Sequence, residues 1–237
     1  MASVRTVTLP DGKTFMMSDW GDYQLFSRAE IGADNAQDVT LFNYVASQEI
    51  PGGATAARAT ICDTNMPTPS QLPLRHQQIV FSVGIIFDEV DTATSSAVGL
   101  VNNQTAGGYK QDLIADGLRK WEAIRHNVYF QLVVEGTKPY VEGELCRYPA
   151  GGGLYFSLSA EPGTVTYGAY NVNNGEPGMH AARRLAMPVH LGALESFAGL
   201  LKFPRGGIPN WTDAGLGTVS AYGIKVVLNG PRQRPIG

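Results

Sequence analysis

The chain has little charge, almost no cysteine and no long apolar run. Of its 237 residues only 16% are Asp, Glu, Lys or Arg, against the ~25% usual for globular proteins. A surface so poor in groups that must stay solvated favours partners that cover part of it. Two cysteines, Cys62 and Cys146, are too few for a disulfide framework, and no clustered ligands beside them spell a zinc motif. Both are expected to be reduced and buried. No apolar stretch approaches the ~20 residues that cross a bilayer as a helix. The opening, Met-Ala-Ser-Val-Arg-Thr-Val-Thr-Leu-Pro, lacks the apolar centre of a signal peptide. The expectation is a soluble product made in a cytoplasm. A net charge of -3 argues against a general nucleic-acid binder, because neutralising phosphates requires a basic surface.

The usual signatures of catalysis are missing too. His76, His126, His180 and His190 are scattered, with neither the helical nor the alternate-residue spacing of a metal site. There is no Gly-x-Ser-x-Gly turn and no phosphate loop; Gly107-Gly108-Tyr109-Lys110 has the wrong spacing for one. Asp88, Glu89 and Asp91 gather three carboxylates, a weak candidate for calcium, but the calcium-loop pattern is absent. Charges at a strand end that discourage edge pairing explain them as simply. No catalytic residue and no cofactor are expected.

What the chain does have is 43% hydrophobic residues, 28 glycines and 14 prolines. That is core material cut by many turns, hence many short strands. Residues 4–9 alternate, meet Pro10-Asp11-Gly12, and 14–17 can return as a hairpin. Residues 38–46 and 57–62 read as strands. Residues 63–73, with Pro67, Pro69 and Pro73, read as an ordered, extended crossing. Residues 77–87 form the strongest strand, apolar enough to be buried on both faces. Residues 91–108 read as loop. Residues 109–125 are the one clear helix, with Leu113, Ile114, Leu118, Trp121 and Ile124 at helical spacing. Strands follow at 127–134, 140–145, 154–158, 165–170 and 185–190. Residues 195–203 fit a helix or a strand; the alternation of Phe197, Gly199, Leu201 and Phe203 favours the strand.

The final stretch, 222–237, reads as a buried strand at 224–228, closed by Asn229-Gly230 and followed by a short Pro- and Arg-containing tail. A core strand so late in the chain delays completion of the fold until synthesis ends. The tail, with Arg232 and Arg234, is placed to touch a neighbouring subunit. Trp20 and Trp211 sit in segments rich in Asp, Gly and Pro, where exposed aromatics often mark binding surfaces. The sum, about ten to fourteen short strands with no βαβ rhythm, is an all-β sandwich or a pair of them.

Thr64-Asn65 and Ser70-Gln71-Leu72-Pro73 lead into a long apolar strand, a single amphipathic helix follows mid-chain, and the chain finishes Ile224-Lys-Val-Val-Leu-Asn-Gly230 with Arg234-Pro235. In these stretches and their order the chain resembles the major capsid proteins of small icosahedral, membrane-containing bacteriophages, the double jelly-roll lineage. The resemblance implies an all-β fold of two tandem jelly rolls of about eight strands each, with one or two short helices. The first jelly roll would occupy 1–110, and the helix with the second 111–237, the boundary lying near 103–127. A related minor shell protein, or a single jelly roll with a large insertion, is the alternative for so short a chain.

The function expected is a viral structural protein, localised in the virion. The subunit would self-assemble as trimers that tile an icosahedral shell. Its partners would be its own copies and other capsid proteins, with contact to an internal membrane or the genome and no small-molecule substrate. Trp20, Trp211, Arg232 and Arg234 are the expected interface residues. The competing class is a carbohydrate-binding or adhesion β-sandwich. A cupin-type hydrolase ranks third, because the histidines lack cupin spacing.

Overall fold

The computed structural model describes residues 6–8, 12, 14–16, 20–32, 37–52, 57–91, 96–97, 124–136, 138–148, 183–206, 212–213, 217–218 and 221–233. Among them strands dominate. In chain order they are β1 (Thr6–Thr8), β2 (Thr14–Met16), β3 (Trp20–Gly32), β4 (Val39–Leu41), β5 (Gln77–Asp91), β6 (Ser96–Ala97), β7 (Tyr129–Val134), β8 (Lys138–Glu144), β9 (Arg183–Leu191), β10 (Phe197–Lys202), β11 (Thr212–Asp213), β12 (Gly217–Thr218) and β13 (Ala221–Gln233). One antiparallel sheet runs β3-β13-β5, with β9 and the short β6 sharing the far side of β5; the other runs β4-β10-β7-β8. Two small hairpins, β1-β2 and β11-β12, stand apart from both.

The alternation along each strand explains the packing. In β7 and β10 every second residue is buried, the period-2 pattern of a sheet with one face inward. Leu25, Ala29 and Ile31 of β3, Val80 and Val83 of β5, and Ile224, Val226 and Leu228 of β13 join Phe130, Leu132, Phe197 and Leu201 of the other sheet in one buried cluster. Two faced sheets therefore enclose a single core. Gly199 of β10 is part of its fit: a Cβ there would come within 3.1 Å of the Phe42 and Phe130 rings, so the missing side chain makes room for two aromatics.

The pairing is nested. β3 pairs with β13, β4 with β10, β5 with β9, and β7 with β8, so partners are matched from the outside of the chain inward. The cross-pairings β13 with β5 and β10 with β7 then fold this long ribbon into two sheets. Each sheet takes strands from both halves of the chain. The expected boundary near 103–127 runs across this pairing: among the described strands β3 and β5 are joined through β13.

Several local expectations meet the structure directly. The hairpin at the start, the strand at β5, the strand at β9 and the strand choice for β10 are all present. The strand expected at 38–46 stops at Leu41, because Phe42 takes a left-handed backbone at φ 65°. That turn drops its ring into the core, fully buried and 5.8 Å from the Phe197 ring. Residues 57–62 make only an irregular return: Ala59 N donates to Gln48 O at 2.7 Å and Ile50 N to Ala57 O at 3.1 Å. The turn that follows leaves Cys62 exposed rather than buried. The helix expected at 109–125 lies outside the described residues except at its end, where 124–127 are helical and Ile124 is fully buried. The strands expected at 154–158 and 165–170 lie outside them as well.

The last strand is longer than its apolar run. Asn229-Gly230 does not close it; a bulge against β5 lets it continue through Pro231 and Arg232. Gly230 sits at φ 156°, and a Cβ there would overlap the Ile79 carbonyl oxygen. Gly230→Ala is therefore expected to lower the unfolding free energy by about 2–4 kcal/mol, measured by urea titration. Gly12→Ala has a positive φ but meets nothing within 4 Å, and is expected to cost only about 1–2 kcal/mol.

Candidate functional site

The residues singled out from the sequence fall into three groups. Asp88, Glu89 and Asp91 stand in the ladder of β5, their backbones paired with Gly223, Tyr222 and Ser96. A paired strand is not the loop that wraps a calcium ion. Trp211 and Arg234 lie outside the described residues. Trp20 and Arg232 come together at one end of the sandwich, where Trp20 pairs with Gln233 and Gly21 with Arg232. Trp20 is no loop residue: it opens a strand of 13 residues and is half-buried.

Arg232 was expected in a short tail beyond the last strand, placed to touch a neighbouring subunit. It is instead 5% exposed, inside its own subunit. Its Nη2 donates to His76 Nδ1 at 2.9 Å, which makes Nδ1 the acceptor because a guanidinium only donates. Its guanidinium carbon lies 4.6 Å from the centre of the Tyr23 ring, a cation–π contact. Beside it His190 Nε2 meets Gln77 Oε1 at 3.1 Å, and Gln78 Nε2 donates to Leu228 O at 3.2 Å. This polar band ties β5, β9 and β13 together at their common end.

Outside the band lies an apolar rim. Leu194 N donates to Leu72 O at 3.0 Å, which joins the loop after β9 to the loop before β5. Each loop presents a leucine to solvent, Leu194 at 56% and Leu74 at 65% exposed. Met187 of β9 is 78% exposed, and no strand pairs the outer side of β9 among the described residues.

A second, buried cluster has the residue types of an active site. Arg28 Nη1 lies 3.1 Å from Asp63 Oδ1 and Nη2 lies 3.8 Å from Glu30 Oε1. Tyr44 Oη donates to Arg28 O at 2.6 Å. Burial alone would raise the Asp63 pKa, but hydrogen bonds from Thr60 N and Oγ1, at 2.8 and 2.7 Å, and the Arg28 guanidinium outweigh it and hold the carboxyl below its usual range. Burial pushes the Tyr44 hydroxyl up to about 12. At neutral pH neither group exchanges a proton readily, so the cluster suits anchoring rather than acid–base work. It anchors residues 44–52 and 57–66 along β3: Asn65 Oδ1 accepts from Phe26 N at 2.9 Å and Glu30 N donates to Pro51 O at 2.9 Å.

The sequence reading missed a third grouping. His126, Glu144 and Cys146 bring one nitrogen, one oxygen and one sulfur within 4.8 Å of one another. His126 is distant in sequence from the other two, but the β7-β8 hairpin pairs Tyr129 with Glu144, and Leu145 N donates to Val128 O at 3.1 Å. Just beyond these pairs the helical turn at 124–127 and the turn at Leu145–Arg147 bring His126 to the same end of the hairpin as Glu144 and Cys146. Burial, with the hydrogen bond and charge of Glu144, pushes the Cys146 thiol up from its ordinary value.

Comparisons of the chain with protein-family models, with curated proteins and with solved structures find no match.

Because Asp63 has a lower pKa folded than unfolded, its stabilisation is complete above about pH 4 and is lost as pH falls through the folded value. The melting temperature is expected to drop on acidification below about pH 4, and to drop less in Asp63→Asn. At neutral pH Asp63→Ala, which strands the buried Arg28, is expected to cost about 3–5 kcal/mol by chemical denaturation.

Proposed function

We propose that this protein is a structural subunit that assembles with copies of itself into a shell, a capsid protein built on a single jelly roll. The nested pairing of β3 with β13, β4 with β10, β5 with β9 and β7 with β8 carries the reading. A ribbon of eight strands paired from its ends inward and folded into two sheets is the jelly-roll plan, which recurs in viral coats. Fold alone does not assign function, so three other observations matter. Charge is low. Leu74, Leu194 and Met187 put large apolar side chains in water. The buried polar groups with catalytic residue types, Arg28, Asp63 and Tyr44, serve to anchor a loop. The likeness to phage coat proteins in sequence points the same way.

With one sandwich among the described residues of each chain, a trimer would set three such sandwiches side by side. Contacts would run through the rim of Leu74 and Leu194 beside Trp20, with Arg232 bracing the rim from beneath. Each contact is weak, and closed symmetry multiplies it.

Light scattering on the purified chain at rising concentration is expected to give a defined oligomer, a trimer by preference, and electron microscopy to give uniform particles, sheets or shells. Leu74→Asp with Leu194→Asp replaces only exposed side chains and is expected to leave a folded monomer. A wild-type chain that stays monomeric at high concentration overturns the assembly reading, and glycan binding by that monomer would favour the adhesion class.

A further inference from the structure

We propose that His126, Glu144 and Cys146 form a binding site for a divalent transition metal, with zinc the ion it fits best. This stands apart from the assembly reading. The three donor atoms come from the turn before β7 and from both sides of the end of β8. His126 Nδ1 lies 3.8 Å from Glu144 Oε2, and Cys146 Sγ lies 3.5 Å from the same oxygen. A tetrahedral zinc with ordinary bond lengths sets its ligand atoms about 3.3–3.7 Å apart. Two of the separations are therefore nearly right, and a small rotation of the His126 and Cys146 side chains closes the third.

The donor set selects the metal. Imidazole nitrogen and thiolate sulfur suit zinc and its neighbours, whereas calcium and magnesium take oxygen. The site is open, with the side chains of His126 and Glu144 51% and 42% exposed, so water can fill the fourth position. It is also held by backbone. The β7-β8 ladder fixes Glu144, the turn at Leu145–Arg147 fixes Cys146, and Ile124, buried in the core, holds the helical turn that carries His126. Such support is what a preorganised site needs.

Binding balances simply. The Cys146 thiol now donates to Glu144; on binding, a Zn–S bond forms, the S–H bond breaks, and the proton leaves to water. Glu144 and the thiolate then offset the charge of the ion. Arg125, whose Nη2 reaches Cys146 O at 3.5 Å, keeps the surroundings from being strongly negative and should moderate the affinity. The consequence is structural: the ion staples the start of β7 to the end of β8.

Cobalt(II) titrated into the reduced full-length chain tests the site. We expect a sulfur-to-cobalt charge-transfer band and the visible bands of tetrahedral cobalt, saturating at about one ion per chain and displaced by zinc. Cys62→Ser should keep the spectrum; Cys146→Ser should lose the charge-transfer band. His126→Ala and Glu144→Gln, at half-exposed positions that the fold tolerates, should each weaken binding about tenfold or more. Zinc should raise the melting temperature of the wild type and not of Cys146→Ser. No cobalt–thiolate band in the wild type, or the same band in Cys146→Ser, overturns the proposal.

Discussion

β13 is hydrogen-bonded to β3 along one edge and to β5 along the other, nearly from end to end. The rest of the structure hangs on that double pairing. It joins residues as far apart as Trp20 and Gln233, and every such contact closes a long loop before it returns any stabilisation. The bulge at Gly230 lets the strand run on, so Pro231, which has no N–H to give, and Arg232 follow without breaking the sheet. Arg232 reaches its place over Tyr23 and beside His76 only because the bulge resets the register there.

The same sheet buries charge on its outer side. The odd-numbered residues of β3 from Leu25 to Ile31 face the core or its edge, which leaves Arg28 and Glu30 on the opposite face, buried at 7% and 1% exposure. They are covered by residues 44–52 and 57–66, whose Tyr44, Ile50 and Ala59 form a small apolar cluster of their own. A buried guanidinium is tolerable only with its carboxylate in place, so Asp63 decides where this covering segment can dock. Thr60 in turn fixes Asp63. The chain that leaves the core at Phe42 is thus brought back against β3 and seals an edge that would otherwise be open.

Strands with plain alternation or continuous apolarity, β5, β10 and the centre of β13, were legible in the sequence because their own residues carry the signal. β3 was not. Asp22, Arg28 and Glu30 look like surface, and Asp19, Gly21 and Asp22 make Trp20 look like a loop residue. What buries Arg28 is Asp63, 35 residues away, and no local window contains it. The single core was hidden for a related reason. Periodicity counts strands but does not say which strand pairs with which, and a chain cut near its middle gives two plausible halves until β13 is placed beside β3. His126 and Cys146 were overlooked because metal spacing was sought within one helix or strand, whereas the turns at the end of a hairpin bring them together.

The open edges would constrain how copies meet in the proposed assembly. β9 and β8 are the outer strands of their sheets among the described residues, and each contains a proline, Pro188 and Pro139. Proline cannot donate to a ladder, and edge strands that carry it resist strand-to-strand addition. The edge of β3 is already bonded to residues 51 and 64–65. Extension of either sheet from one copy into the next is therefore disfavoured at these three edges. In the proposed assembly, contacts between copies would then be made by side chains at loop ends, where Leu74 and Leu194 stand out from a base stiffened by Arg232, His76 and the two glutamines. A contact of that kind would be specific without being adhesive along its whole length, and would let subunits of the proposed assembly add in one orientation and not stack indefinitely.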